Sequence, residues 1–327
     1  MGFGIIPLLD ALTRRAFLSA GLRSESIDVD SDTTIRCWLP QSLPLSDLQY
    51  PNSEAYSTKH NCNEHNTKPP LVLIHGFGPV ATWQWRAQVR VLARQFDLIV
   101  PELVFFGKST TRSAERSEKF QATVVAKLLT ALGLHGGVFG VVGTSYGGFV
   151  AYHLARMMGE KRIGKVVIAS SDLGKGEEDD QTLRERAGGV ESVEDLMLPR
   201  TTDNLRKLIR LAFRRPPPFM PDFVLREVLR SLYKDNMDQK MELIKGVTVG
   251  NKDLFKLYPL PQDVLIIWGE YDGIFSLDKA FDLKEKLGDN AKLEVLKNTG
   301  HMPQFEDPDG FNKVLLNFLI GVSKSAL

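Results

Sequence analysis

Hydrophobic and polar positions along this 327-residue chain follow two rhythms. Short apolar runs bounded by Gly, Pro or charge recur at LVLIHGF (71–77), DLIVPEL (97–103), VFGVVGT (138–144), GKVVIAS (164–170) and DVLIIWG (263–269). Runs of that length, rich in Val, Ile and Leu, are those of strands buried on both faces. Between them the apolar period lengthens to that of helices at TWQWRAQVRVLARQF (82–96), 113–132, YGGFVAYHLARMMGE (146–160), LDKAFDLKEKLG (277–288) and FNKVLLNFLI (311–320). Residues 26–39, which include TTIRCWL, alternate as strands do, and AKLEVL (291–296) adds a last strand. Regular strand–helix alternation predicts a mostly parallel, doubly wound α/β sheet.

The alternation stops between Asp172 and about Pro261. There the chain is charged and helical in pattern, as in TTDNLRKLIRLAF (201–213) and FVLREVLRSLY (223–233), with a break at RRPPPFMP (214–221). A helical segment inserted between two strands of one sheet is expected to form a lid over the strand ends, where open α/β sheets bind ligands. The expected division is a core of 25–171 and 262–327, a lid of 172–261, and an N-terminal amphipathic segment, 1–24. Most of Leu205, Leu208, Ile209, Phe213, Phe219, Phe223 and Leu229 are expected to face the sheet. The apolar stretch MGFGIIPLLDALTRRAFLSAGL is interrupted by Asp10, Arg14 and Arg15, short of the roughly 20 apolar residues of a membrane span. It reads as a helix packed on the domain or as one lying at a membrane surface.

Composition narrows the class without naming a chemistry. The chain is 43% hydrophobic and 25% charged, as in globular proteins, and its net charge of +1 makes no case for nucleic-acid partners. Two cysteines, Cys37 and Cys62, and no Asn-x-Ser/Thr site fit a cytoplasmic protein, membrane-associated if the N-terminal segment lies on a bilayer. The polar loop 40–70 holds His60, Cys62 and His65, but their spacing fits no standard zinc pattern, so no metal is expected.

The candidate chemistry sits where strands end. In VVGTSYGGFVAYHLA, Ser145 stands between an apolar strand and a helix, with Gly143 and Gly147 two residues to either side. This is the spacing of a nucleophile elbow, where side chains at the flanking positions would collide with the following helix. A serine hydroxyl needs a base, and the base needs a carboxylate to hold its tautomer. WGEYDGIF puts Asp272 just past one strand, and NTGHMPQFEDP puts His301 just past the next, in the order Ser, acid, His. Asp172 in IASSDLG competes for the acid role, or caps the first lid helix. The oxyanion is expected to meet the backbone N–H of Tyr146 and of Phe77 in the loop HGFGP, which Gly76 and Gly78 let bend, with His75 holding its shape. Gly76, Trp83, Phe105 and Phe106 are expected to touch substrate; Trp85 lies in the same aromatic-rich motifs near the expected site.

HGFG, PELVFFGKS, GTSYGG, WGEYD and TGHMPQFEDP appear in the order of the α/β-hydrolase superfamily with a helical cap, which the chain resembles over about residues 25–320. The lid text resembles the monoacylglycerol lipase-like branch, and PELVFFGKSTT resembles plant proteins of that type. Glu102 departs from the family pattern, where Asp is common. The resemblance implies hydrolysis of an apolar acyl ester or lipid through an acyl-enzyme, with no cofactor. A carbon–carbon bond hydrolase of vinylogous diketones, of the meta-cleavage type, and a ligand receptor that kept its triad remain as alternatives. No run of cationic residues is tied to the catalytic motifs, so charged acids are expected to be poor substrates.

Overall fold

A computed structural model describes residues 4–44, 68–134, 139–247 and 256–321. Helix α1 (Ile5–Ser19) leads into a hairpin of β1 (Leu22–Asp28) and β2 (Thr33–Pro40). Then follow β3 (Pro70–Ile74), short helices α2 (Ala81–Gln84) and α3 (Val89–Leu92), β4 (Asp97–Pro101) and the two-residue β5 (Thr110–Thr111). The chain continues through α4 (Glu118–Ala131), β6 (Phe139–Thr144), α5 (Tyr146–Met158) and β7 (Ile163–Ala169). Five helical stretches come next: α6 (Glu177–Arg186), α7 (Val193–Met197), α8 (Thr202–Ala212), α9 (Asp222–Val228), which runs into a π-helical turn at Leu229–Tyr233, and α10 (Met237–Lys245). Last are β8 (Asp263–Gly269), α11 (Asp278–Leu287), β9 (Ala291–Leu296), α12 (Pro303–Glu306) and α13 (Pro308–Ile320).

The strands form one sheet in the order β1-β2-β4-β3-β6-β7-β8-β9, with β5 paired to β2. From β4 across to β9 all neighbours are parallel, and the antiparallel hairpin closes one edge. Successive strand side chains point to opposite faces. Val72 and Ile74 of β3 join the same apolar cluster as Val264, Ile266 and Trp268 of β8, whereas Leu71, Leu73, Leu265 and Ile267 join the cluster beneath. Both faces are covered, which is why these strands read as unbroken apolar runs. Each fully buried Leu, Val or Ile contributes about 1.5–3 kcal/mol relative to an exposed one. Cys37 is buried in β2, and burial pushes its thiol pKa up, so it is a packing residue. His60, Cys62 and His65 lie outside the described residues.

Three expectations need correction. The helix expected at 82–96 is two short ones, because the bend at Trp85–Gln88 sinks Trp85 against Phe311 and lets buried Gln88 donate to the Gln304 carbonyl at 3.1 Å. The helices between β7 and β8 bury Leu205 and Leu208 mainly among themselves, with Leu183, Leu196 and Leu225, and only the edge of this cluster meets the core loops, through Ile274, Phe77, Phe275 and Met302. Phe219 and Phe223, expected to face the sheet, are instead 80% and 59% exposed, because the run Pro216–Pro218 keeps the chain out of the helical pattern there.

Candidate active site

β6 lies in the middle of the parallel sheet, between β3 and β7, and Ser145 follows its last residue. Ser145 holds φ +52° and ψ −122°, a conformation that costs on the order of 1–3 kcal/mol in a non-glycine residue. Its N–H donates to the Ala169 carbonyl at 2.8 Å, and its carbonyl accepts from Gly148 at 2.9 Å. The flanking glycines are required by close approach. A Cβ on Gly147 would sit 2.4 Å from the Ile74 oxygen, and one on Gly143 would be 2.1 Å from the Gly147 oxygen.

The structure brings Ser145 and His301 together across 156 residues: the Ser145 Oγ and His301 Nε2 are 3.0 Å apart. On the other side of the ring, His301 Nδ1 lies 2.9 Å from Asp272 Oδ2. Asp272 is held by its other oxygen, which accepts from the N–H groups of Ile274 and Phe275 at 2.9 Å each. All three side chains are buried. Phe275 packs edge-on to the imidazole, with centroids 5.4 Å apart.

Asp172 stands apart from this chain of contacts. Its carboxylate accepts from the Gly174 N–H at 2.9 Å and lies 3.8 Å from the Lys279 ammonium, and burial pushes its pKa up to about 6. Nor does it cap α6, whose N-cap is Gly176, with Asp179 accepting from the Gly176 N–H at 2.7 Å.

The loop after β3 closes on Ser145. A Cβ on Gly76 would meet Ser145 Cβ and the Thr144 oxygen at 2.9 Å each. Gln84 fixes this loop: its Oε1 accepts from the Gly76 N–H at 2.8 Å, while its Nε2 donates to the carbonyls of Gly76 at 3.0 Å and Pro79 at 2.6 Å. His75 locks the other side. Leu103 N–H donates to His75 Nε2 at 3.0 Å, so the imidazole carries its proton on Nδ1, which donates to the Gly76 carbonyl at 2.7 Å. Burial depresses the His75 pKa to about 4 and keeps the ring neutral.

An aromatic wall runs outward from Tyr146. Its ring meets Phe77 at 5.8 Å, Phe77 meets Phe106 at 5.2 Å, and Phe106 meets His75 at 5.0 Å, all edge to face. Phe105 holds φ +72°, and Asn236 Nδ2 ties its carbonyl to the helical segment at 3.0 Å. Trp83 is placed differently from the other aromatics. Its indole N–H donates to Asp10 of α1 at 3.0 Å, which gives it a part in docking that helix. Trp85 belongs to the core on the opposite face of the sheet. Glu102 accepts from the Lys108 N–H at 3.0 Å, and a Cβ on Gly107 would fall inside its carboxylate, so this residue shapes the turn before β5.

Three further positions near the site are not among the expected site residues. Lys240 of α10 is buried, its Nζ 5.0 Å from the Phe106 centroid, and among the described residues it forms no hydrogen bond or ion pair. Burial lowers its pKa. Tyr233, at the end of the π-helical turn, is buried with its hydroxyl facing Gly78. Glu306 accepts from the N–H groups of Gly300 at 2.6 Å, Arg214 at 3.1 Å and Arg215 at 2.9 Å, and so ties the loop of His301 to the helical segment. Among the described residues no group of His, Cys, Asp and Glu could hold a metal ion, and no helix is long and apolar enough to cross a membrane.

The chain is similar to several known hydrolases. The chain is 28% identical over 258 residues to a 2-hydroxy-6-oxononadienedioate/2-hydroxy-6-oxononatrienedioate hydrolase of Burkholderia vietnamiensis, covering 76% of this chain and 86% of that one. It is 24% identical over 276 residues to human monoacylglycerol lipase ABHD6, covering 78% and 76% of the two chains. Among solved structures, 2-hydroxy-6-oxo-6-phenylhexa-2,4-dienoate hydrolase from Rhodococcus sp. strain RHA1 superposes with a TM-score of 0.68 at 21% identity, over 91% of this chain and 98% of that one. A family profile described as the alpha/beta hydrolase fold matches residues 69–308. The chain is a hydrolase and belongs to the α/β-hydrolase fold family.

Proposed function

We propose that Ser145 is the nucleophile of this hydrolase, with His301 as its base and Asp272 holding the imidazole. The observation that carries this reading is the continuous chain of contacts from Ser145 Oγ through both His301 nitrogens to Asp272. His301 Nε2 takes the hydroxyl proton as Oγ attacks a substrate carbonyl carbon. The oxyanion is received by the N–H groups of Phe77 and Tyr146, each worth about 2.7–4 kcal/mol by the cost of deleting one such donor. The bond to the leaving group breaks, His301 delivers its proton to that group, and water repeats the sequence on the acyl-enzyme. Side chains, backbone and water suffice for each step. The helical segment after β7 serves as the cap of this core, and the core begins before residue 25, because β1 pairs with β2 from Leu22 onward and Phe17 of α1 is buried with it.

The bond cleaved is, in our reading, a carbon–carbon bond next to a ketone, in a substrate that carries a carboxylate. Two observations favour this over ester cleavage. Two relatives, from Burkholderia vietnamiensis and Paraburkholderia phymatum, are named 2-hydroxy-6-oxononadienedioate/2-hydroxy-6-oxononatrienedioate hydrolases and are 28–29% identical to this chain. Lys240 then provides a buried cation beside the aromatic wall, which feels the charge of Asp235 without forming an ion pair with it and which a substrate carboxylate would pair with directly. A buried cation costs less when an anion reaches it. This replaces the expectation that acids are poor substrates. Ester hydrolysis is the second reading, favoured by the likeness to monoacylglycerol lipase, and uses the same residues. Steady-state kinetics on a 2-hydroxy-6-oxo-dienoic acid and on p-nitrophenyl butyrate decide between the two. The acid should give the higher kcat/KM, and Lys240→Met should lower that value more than the ester's. Turnover of esters alone would assign the bond as an ester.

A further inference from the structure

Helix α1 shows two apolar faces. At 100° per residue, Ile6, Thr13 and Phe17 share one side and are buried against the domain. Ile5, Leu8, Leu9 and Leu12 share another, centred about a third of a turn away, and all four are exposed, Leu8 at 63%. The first turn of α1 is fixed against α9, where Glu227 accepts from the Ile6 N–H at 3.2 Å. Phe223 lies one turn before Glu227 on the same side of α9, which puts it near the leucine stripe, and Phe219 lies four residues earlier, in the proline-broken loop that leads into this helix. These are the two most exposed phenylalanines of the cap.

Charge is concentrated at the same place. Residues 200–230 contain eight arginines and lysines against three carboxylates, a net +5, in a chain whose total is +1. The carboxylates are already engaged: Asp203 with Lys207, Asp222 with Arg206 and Arg226, and Glu227 with the start of α1. Arg210, Arg214 and Arg215 form no ion pair among the described residues, and Arg214 lies over the Tyr271 ring at 4.2 Å. Arg210 lines a cavity of about 170 Å³ with Arg206 and Pro216–Pro218, in the loop that exposes Phe219. Exposed apolar side chains in a segment with this excess of arginine match a surface that is apolar inside and anionic at its rim.

We propose that the α1 stripe and the tip of the cap at Phe219 and Phe223 form one face that docks on an anionic lipid bilayer. The leucines and phenylalanines enter the acyl boundary, and the arginines meet headgroup phosphates and carboxylates. The inference holds whichever bond the enzyme cleaves.

Co-sedimentation of the full chain with vesicles of phosphatidylcholine alone, and of phosphatidylcholine with 30% phosphatidylserine, tests it. Binding is expected to the mixed vesicles, to weaken as salt rises, and to be far lower on the neutral ones. The pairs Leu8→Glu with Leu12→Glu, and Phe219→Ser with Phe223→Ser, should each lower the partition coefficient on the order of tenfold or more. Arg214→Gln with Arg215→Gln should remove much of the salt dependence. All six positions are exposed, so retained labelling of Ser145 by a fluorophosphonate reports that each variant is folded. No binding to either vesicle, or binding indifferent to both apolar pairs, overturns the proposal. So does a dimer in light scattering that the same apolar substitutions dissolve, because the face would then join two copies of this chain.

Discussion

Replacement of Gln84 by Leu tests how the loop beside Ser145 is held. The side chain is buried and makes three hydrogen bonds to the loop, to the Gly76 N–H and to the carbonyls of Gly76 and Pro79. Leu is close in size but has no polar atoms. The Gly76 carbonyl keeps its bond from His75 Nδ1, so two groups are orphaned, the Gly76 N–H and the Pro79 carbonyl. At about 1–3 kcal/mol for each buried unsatisfied group, Gln84→Leu should cost about 2–6 kcal/mol of stability. That is a large share of the roughly 5–15 kcal/mol of a typical fold. The next amide in the chain is that of Phe77, the proposed oxyanion donor. Its displacement should lower kcat by up to about 10²–10³. Gln84→Glu keeps the acceptor for Gly76 but loses the donor to Pro79, and should fall between Leu and wild type. Urea denaturation gives the first quantity. The second is kcat on p-nitrophenyl butyrate per active site titrated with a fluorophosphonate. A variant with lowered stability and full kcat would show that Gln84 does not set the oxyanion donor, and one unchanged in both would remove it from the loop altogether.

Two further outcomes follow from the same geometry. His75 is held neutral with its pKa depressed from 6.5 to about 4, so the unfolded chain takes up its proton first as pH falls. Its contribution is complete above pH 6.5 and is lost between 6.5 and about 4, at most about 3 kcal/mol, and the urea midpoint of His75→Gln should lack that part of the pH slope. Asp272→Asn should leave the fold intact and lower kcat by up to about 10⁴ through the wrong imidazole tautomer, whereas Asp172→Asn, which faces Lys279, should change kcat far less; the reverse ranking would move the acid to the end of β7.

Much of this was legible in the chain itself. Each buried strand reads as an apolar run, and Ser145, Asp272 and His301 each follow such a run. Their chain order and the glycines at 143 and 147 therefore point to one site before any contact is known. The positions that escaped are those whose signal lies in distant partners. Gln84 is an unremarkable polar residue in a helical pattern until the loop of Gly76 folds onto it. Glu306 acts through residues 91 and 92 positions away, and Lys240 meets Phe106 only when the cap is in place. Periodicity assigned Phe219 and Phe223 to the interior because apolar spacing does not say which side of a proline-broken segment faces solvent. Trp83 was grouped with the site because it is adjacent in sequence to the loop, yet its indole N–H serves α1.

In the proposed mechanism Ser145 is the nucleophile, activated by His301. Labelling the intact protein with a fluorophosphonate, followed by mass spectrometry of the modified peptide, probes both roles at once. One adduct is expected, on Ser145, abolished in Ser145→Ala and strongly slowed in His301→Ala. Undiminished labelling of Ser145→Ala, or an adduct on any other residue, would contradict the mechanism.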